Sequence, residues 1–431
     1  MKRAWLLCLG MFLASCSRGE APQPPPAHRP VSPPLTIRWS PPETIAPLPE
    51  GVSRVCKLAA AQAEHPQVAW LDCSSETGRV ASFVMWSERA TAGWPEPRPI
   101  STQRPTNVFW LTLSADGRTE SMVGWKQGLG FAGCFRHQEE WSHLEPFGFR
   151  STFATARLLR PPGHFGFLYG EFVLRFPPQS PSFRLLFRSL EGGKLGEPAA
   201  IAEKGRFEER MALRRATNGD AVLAFFARGA GSLGREGPLE LHVAAMTAGE
   251  AKWDPPVSLA TYAPAKTTPK TGFAMLSAIE RLWAIDVCAE SAAQLSVVYD
   301  LSPPDYKSHV YVATWTKGRN GTVHTLEGWP VQSAPRNERV LRVVGLPDGS
   351  LIVLYAAVGS FLEVAHWQNG EVLGTSQEQL PGTILDMDID PEGGLHVVGT
   401  SEDGFWYTRG TPGWIGETAA GSGRRDAPST N

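Results

Sequence analysis

The stretch Trp94–Ile100 reads WPEPRPI, and its plan returns three times, as WSPPETI from Trp39, LGEPAAI from Leu195 and WDPPVSL from Trp253. Each copy opens on a large apolar residue, with proline three residues later and Ile or Leu six later. Inside a helix such a proline removes a backbone hydrogen bond and clashes with the preceding turn. In a central strand it removes a ladder bond, but at a sheet edge the missing N–H costs nothing. The phrase therefore reads as the outer strand of a small sheet, and a chain that repeats it builds several such sheets.

Residues 340–373 show what comes before the outer strand. Val340–Leu346 is apolar, Pro347-Asp348-Gly349-Ser350 is a turn, and Leu351–Ala357 is a second apolar run. Val358-Gly359-Ser360 breaks it, Phe361–Trp367 follows, and Gln368-Asn369-Gly370 leads into Glu371–Gly374. Asp-Gly and Asn-Gly supply the positive φ that tight hairpins need. Seven such units begin near residues 54, 107, 153, 208, 280, 338 and 383, about 45 to 72 residues apart. Four strands per unit at that period predict an all-β fold, a seven-bladed β-propeller of four-stranded antiparallel blades, with six or eight blades left open. Trp94, Trp141, Trp253, Trp329 and Trp414 fall near outer strands, where flat rings fill the wedge between blades. The Trp39 copy has no strands of its own before it, and the last unit ends in a poor copy at Trp414. Residues 36–46 are therefore expected to supply the outer strand of the last blade and close the ring.

The 431 residues carry 15 Trp, 43 Gly and 37 Pro, which suits many flat rings and many reversals. A formal charge of −2 argues against a nucleic-acid binder, which needs a basic face. No apolar run after residue 16 is long enough to span a bilayer.

The N-terminus reads MKRAWLLCLGMFLASC. Lys2 and Arg3 precede a short apolar core, which ends at Leu13-Ala14-Ser15-Cys16. This resembles the lipobox of bacterial lipoproteins, in which an aliphatic residue and two small residues precede the cysteine that is modified. The resemblance implies a signal peptide over 1–15, cleavage before Cys16, diacylglycerol on its sulfur and an acylated amine (palmitate or a similar chain). Ser17, not Asp, follows the cysteine, which resembles the outer-membrane sorting pattern. Eleven prolines between Glu20 and Glu50 favour extended polyproline II, so residues 16–35 read as a stiff tether. The propeller is then expected over 36–418, with a polar tail at 419–431.

With Cys8 removed and Cys16 lipidated, Cys56, Cys73, Cys134 and Cys288 remain. Cys56 and Cys73 fall on neighbouring strands of the first unit, which predicts a disulfide in an exported protein. Cys134 and Cys288 belong to units that are not neighbours and read as buried thiols. No spacing suits a metal site, and no cofactor is implied.

The turn before the fourth strand resembles the Asp-box propellers, a repeat shared by sialidases and non-catalytic secreted proteins. Ser189-Leu-Glu191-Gly-Gly193 keeps the serine, an acid and the glycine, and Ser87 has Trp94 at the right distance with Arg89 in place of the acid. Arg54-Val55-Cys56 resembles the early arginine motif of sialidases, and Glu209 through Arg228 resembles their hairpin from the acid to the second arginine. That resemblance implies that Glu209 would polarise a tyrosine and Arg228 would grip a carboxylate. Neither a third arginine nor the tyrosine can be placed. His65, His164 and His309 read as structural or solvated, and Trp125 and Trp406 as packing between blades rather than sugar platforms. The sequence thus reads as a monomeric, lipid-anchored outer-membrane propeller that binds an envelope protein or glycan without catalysis. A sialidase-like hydrolase and an outer-membrane assembly accessory are the alternatives.

Overall fold

The computed structural model describes residues 34–415 apart from 49–55, 61–64, 75–80, 101–107, 117–119, 128–129, 138, 148–150, 161–163, 174–181, 192–193, 204–205, 229–236, 249, 251, 264–280, 303–308, 328, 330–338 and 357–358. The lipobox, Cys16 and the tether up to residue 33 lie outside the described residues.

The described residues form an all-β, propeller-type fold with no α-helix among them. They fall into seven antiparallel sheets, six of which wind outward strand by strand in chain order. Sheet 1 starts at Cys56, sheet 2 at Val108, sheet 3 at Ser151, sheet 4 at Arg206, sheet 5 at Arg281, sheet 6 at Val340 and sheet 7 at Thr383. These starts lie within two residues of the sequence reading, because the hairpin signals are local. Gly349 and Gly370 turn with φ of 79° and 92°, the left-handed region that a side chain resists. The first strands of successive sheets touch in order, and that of sheet 7 touches that of sheet 1, so the sheets close a circle.

Sheet 7 is finished by the N-terminal segment, as expected. Its own strands are Thr383–Ile389, Leu395–Ser401 and Gly404–Pro412, and both Ile37–Trp39 and Glu43–Ala46 pair with the last of these. Trp414 forms no strand; it lies buried in a short 3-10 turn, Gly413–Ile415.

The proline of the repeated phrase sits one step earlier than expected. The outer strands Glu43–Ala46, Arg98–Pro99, Ala199–Ala202 and Val257–Tyr262 each begin at the residue after it. A fixed φ and a missing N–H end the loop there, and pairing starts with the next free donor. The aliphatic residue at the sixth position then turns inward, buried at Ile45, Ile100 and Ile201 and half-buried at Leu259. The leading ring faces the preceding sheet. Trp94 meets Tyr407 of sheet 7 edge-on, centroids 5.2 Å apart, and Trp253 meets Phe187 of sheet 3 at 5.5 Å. Trp125 and Trp406 are buried between sheets.

Carboxylates on first strands stitch the ring near its axis. Asp386 Oδ2 accepts from the Leu58 N–H at 3.1 Å, Asp388 Oδ2 from the Ala60 N–H at 2.9 Å, and Asp286 Oδ2 from the Val343 N–H at 3.0 Å. Each bond joins one sheet to the next. Arg342 pairs with Asp386 at 2.9 Å. Arg214 of sheet 4 pairs with Asp286 at 2.9 Å and reaches Asp388 of sheet 7 at 3.4 Å, so one cation crosses the middle of the circle.

Cys56 is buried opposite Trp70, three residues short of Cys73 on the paired strand. A bridge would have to span that offset, about 10 Å along a strand. The side chain of Cys73 lies outside the described residues. Cys134 and Cys288 are free thiols, the first buried and the second half-buried. Burial pushes the Cys134 thiol up to about 12.

Antiparallel order gives the ring two unlike faces. One carries the hairpins between first and second strands, such as residues 216–220, 292–293 and 346–350, and the connections between third and fourth strands. The other carries the second-to-third connections and the sheet-to-sheet crossings, including the long ones from Tyr262 to Arg281 and from Thr325 to Val340.

Candidate functional site

A groove of about 420 Å³ opens on the hairpin face between sheets 1 and 2. That size is typical of a small-ligand site. Its lining comes from the connection after Ala81–Glu88, from the turn before the outer strand Glu140–Phe147, and from His65 ahead of Gln67–Ser74. The phrase WPEPRPI lends it Pro95, Glu96 and Arg98.

The floor is aromatic and rigid. Trp86 is buried, and Trp141, half-buried, meets it edge-on with centroids 5.4 Å apart at 73°. The Arg136 guanidinium lies over the Trp86 ring at 4.7 Å and donates to Glu88 Oε2 at 2.9 Å. Stacking and ion pairing fix a planar donor that is itself only 6% exposed. Beneath it Gln67 is fully buried. Its Oε1 accepts from the Trp86 indole at 3.1 Å and from the Ser121 hydroxyl at 2.6 Å, and its Nε2 donates to Glu88 at 3.4 Å. The Trp86 ring therefore cannot rotate without breaking a buried bond.

The rim is made of exposed side chains: Glu96, Arg98, Thr91 and Glu139. Glu139 adopts a φ of 75°, which costs a non-glycine residue about 1–2 kcal/mol. On one flank Arg89 grips Glu43 of the closing strand bidentately, Nε and Nη2 at 2.9 and 2.8 Å. The arrangement offers a flat apolar ring, a fixed guanidinium and a mixed-charge rim. Among the described residues no group of three or more His, Cys, Asp or Glu gathers as metal ligands.

A second polar cluster lies at the opposite end of the seam between sheets 5 and 6. Asp300 is fully buried and accepts from the Tyr355 hydroxyl at 2.6 Å and from Arg339. Arg339 also lies 4.6 Å over the Trp283 ring. Burial pushes the Tyr355 hydroxyl up. Glu363, opposite Tyr355 in register, is 5% exposed, and burial lifts its carboxyl to about 7.

Of the candidates Arg54, Glu209 and Arg228, only Arg228 has a described side chain. Arg54 lies outside the described residues. Glu209 sits on Arg206–Arg215, and its side chain lies outside them too. Arg228 is buried, donates to the Gly237 carbonyl at 3.2 Å and stands 3.5 Å from Glu208. His65 alone of the three histidines lines the groove; His309 is half-buried near Tyr311, and the His164 side chain lies outside the described residues. Sequence reasoning missed the groove because its walls come from two sheets. Its one local signal was the pair of charges inside the first copy of the phrase, Glu96 and Arg98, where the copy at Trp253 has Pro255 and Val257.

No protein-family model and no curated protein matches the chain. Solved structures similar to the chain include three of low identity. The BP39L lectin from Burkholderia pseudomallei aligns at 13% identity over 82% of this chain and 98% of that one, with a TM-score of 0.46. A puromycin-hydrolyzing peptidase of Mycobacterium tuberculosis aligns at 14% identity over 86% of this chain and 53% of that one, TM-score 0.45. The GH93 alpha-L-arabinofuranosidase of Fusarium graminearum aligns at 10% identity over 71% and 93%, TM-score 0.43.

Proposed function

We propose that this chain is a bacterial outer-membrane lipoprotein, anchored through Cys16, whose propeller binds glycans without catalysis through the groove between sheets 1 and 2. The observation that carries the binding role is the half-buried Trp141 ring beside the immobilised Arg136 in a cleft of ligand size. A pyranose ring offers an apolar face to an indole and hydroxyls to a guanidinium. Preorganised donors lose little freedom on binding, which favours affinity. The anchor rests on the N-terminal sequence: one acyl chain holds only marginally, and two or three hold firmly.

Glycan-array screening of the full chain in mild detergent, followed by calorimetry on the best sugar, tests the groove. Trp141→Ala is expected to weaken that sugar at least tenfold with the melt little changed. Unaltered affinity overturns the groove. Turnover of a fluorogenic sialoside by the same preparation, lost in Arg228→Ala, would replace binding by hydrolysis. Labelled palmitate should enter the wild type and not Cys16→Ala.

A further inference from the structure

Glu363 stands on the third strand of sheet 6, Phe361–Gln368, near the end where the long connections emerge. Alternation puts it on the face of Ala365 and Trp367, which pack against Val298, Val310 and Val312 of sheet 5. Its Oε2 is buried and meets no donor. The polar groups around it are committed elsewhere. From the second strand of sheet 6, Tyr355 stands directly opposite and gives its hydroxyl to Asp300. From sheet 5, Asp300 holds Arg339, which leads into the first strand of sheet 6. His309, half-buried, begins the third strand of sheet 5. Gln377 lies opposite on the fourth strand of sheet 6. Among the described residues none of these groups pairs with Glu363, so a negative charge on its buried Oε2 meets no donor or cation to offset it. A buried unpaired carboxylate is costly, and the group keeps its proton or leaves.

We propose that Glu363 is a proton-operated latch: neutral, it holds the seam between sheets 5 and 6 shut, and ionised, it drives the end that carries the long connections apart. Burial lifts the carboxyl from its ordinary range to about 7. Once the seam opens to water the same carboxyl ionises in that ordinary range, near 4.5. The open form therefore binds fewer protons between the two values. The seam is tightest below the lower value, loosens as pH rises, and changes no further above about 7. Its opening constant rises about tenfold per pH unit within the window. The device is independent of the groove, which lies between other sheets on the other face.

Hydrogen exchange of the full chain, corrected for intrinsic rates, reads the opening. Protection of 351–356 and 361–368 should fall about fortyfold between pH 5 and 7 and level off by pH 8, while 67–74 of sheet 1 stays constant. Glu363→Gln should stay protected throughout. A flat profile in the wild type, or an unchanged one in Glu363→Gln, overturns the latch. Should that variant not fold, infrared detection of a protonated carboxyl in the wild type at pH 6, absent at pH 8, still decides: no such band means no latch.

Discussion

Two of the seams that bury polar groups treat them differently. Where sheet 7 meets sheet 1, the carboxylates are matched. Asp386 has Arg342 and the Leu58 N–H, Asp388 has Arg214 and the Ala60 N–H, and Glu43 has a bidentate Arg89. Where sheet 5 meets sheet 6, Asp300 Oδ1 and Glu363 Oε2 are buried with no donor. Leaving one buried acceptor unmet costs about 1–3 kcal/mol. The lesson is that polarity at an interface is neutral in itself; satisfaction decides whether it locks or loosens. The seam that joins the two ends of the chain is the locked one.

The strongest way to break the comparison is to remove the lock. Deleting residues 34–46 strips out buried Leu35, Ile37 and Ile45, and at about 2 kcal/mol each with the lost pairing the ring should lose at least ~5 kcal/mol. Thermal melting checks this, and an unchanged midpoint would remove closure as a stabilising feature. Next, Asp386→Ala leaves Arg342 and Lys57 without their carboxylate, which should cost about 3–5 kcal/mol in a denaturant melt. The opposite sign is expected at the other seam. Glu363→Gln should stabilise by about 3 kcal/mol at pH 8, by less near pH 6 and hardly at all below pH 4.5. Destabilisation at pH 8 would mean that both seams are satisfied. A smaller loss, about 1–3 kcal/mol, is expected for Gly404→Ala, where φ is 138° and a Cβ would sit 2.3 Å from the Ala46 carbonyl. Smallest is Trp141→Ala, about 1 kcal/mol for one edge-on aromatic contact; circular dichroism melts would show it even where sugar binding collapses.

The architecture was legible because its signals are short-range. Asn218-Gly219, Asp348-Gly349 and Asn369-Gly370 announce hairpins from within four residues, and the proline of each phrase marks the doorstep of an outer strand. Closure was legible because Trp39 opens a copy of the phrase with no sheet of its own before it. The groove was not, because Trp86, Arg136 and Trp141 converge only when sheets 1 and 2 pack. Nor was Glu363: in FLEVAHW one acid in an apolar run reads as a solvent-facing position, and only the neighbouring sheet buries it. Arg228, which the family resemblance casts as a grip for a carboxylate, stands beside Glu208 on the paired strand.

The contact that ends the circle joins residues far apart along the chain: Ser40 meets Thr408 across 368 positions. Sheets 1 to 6 can each assemble from neighbouring residues as they leave the ribosome. Sheet 7 cannot, since its outer strand is made first and its partner last. The entropy of drawing such distant ends together falls on the final step of folding and slows it. A nascent chain therefore waits as an open arc, with Ile37–Ala46 unpaired, until Gly404–Pro412 arrives.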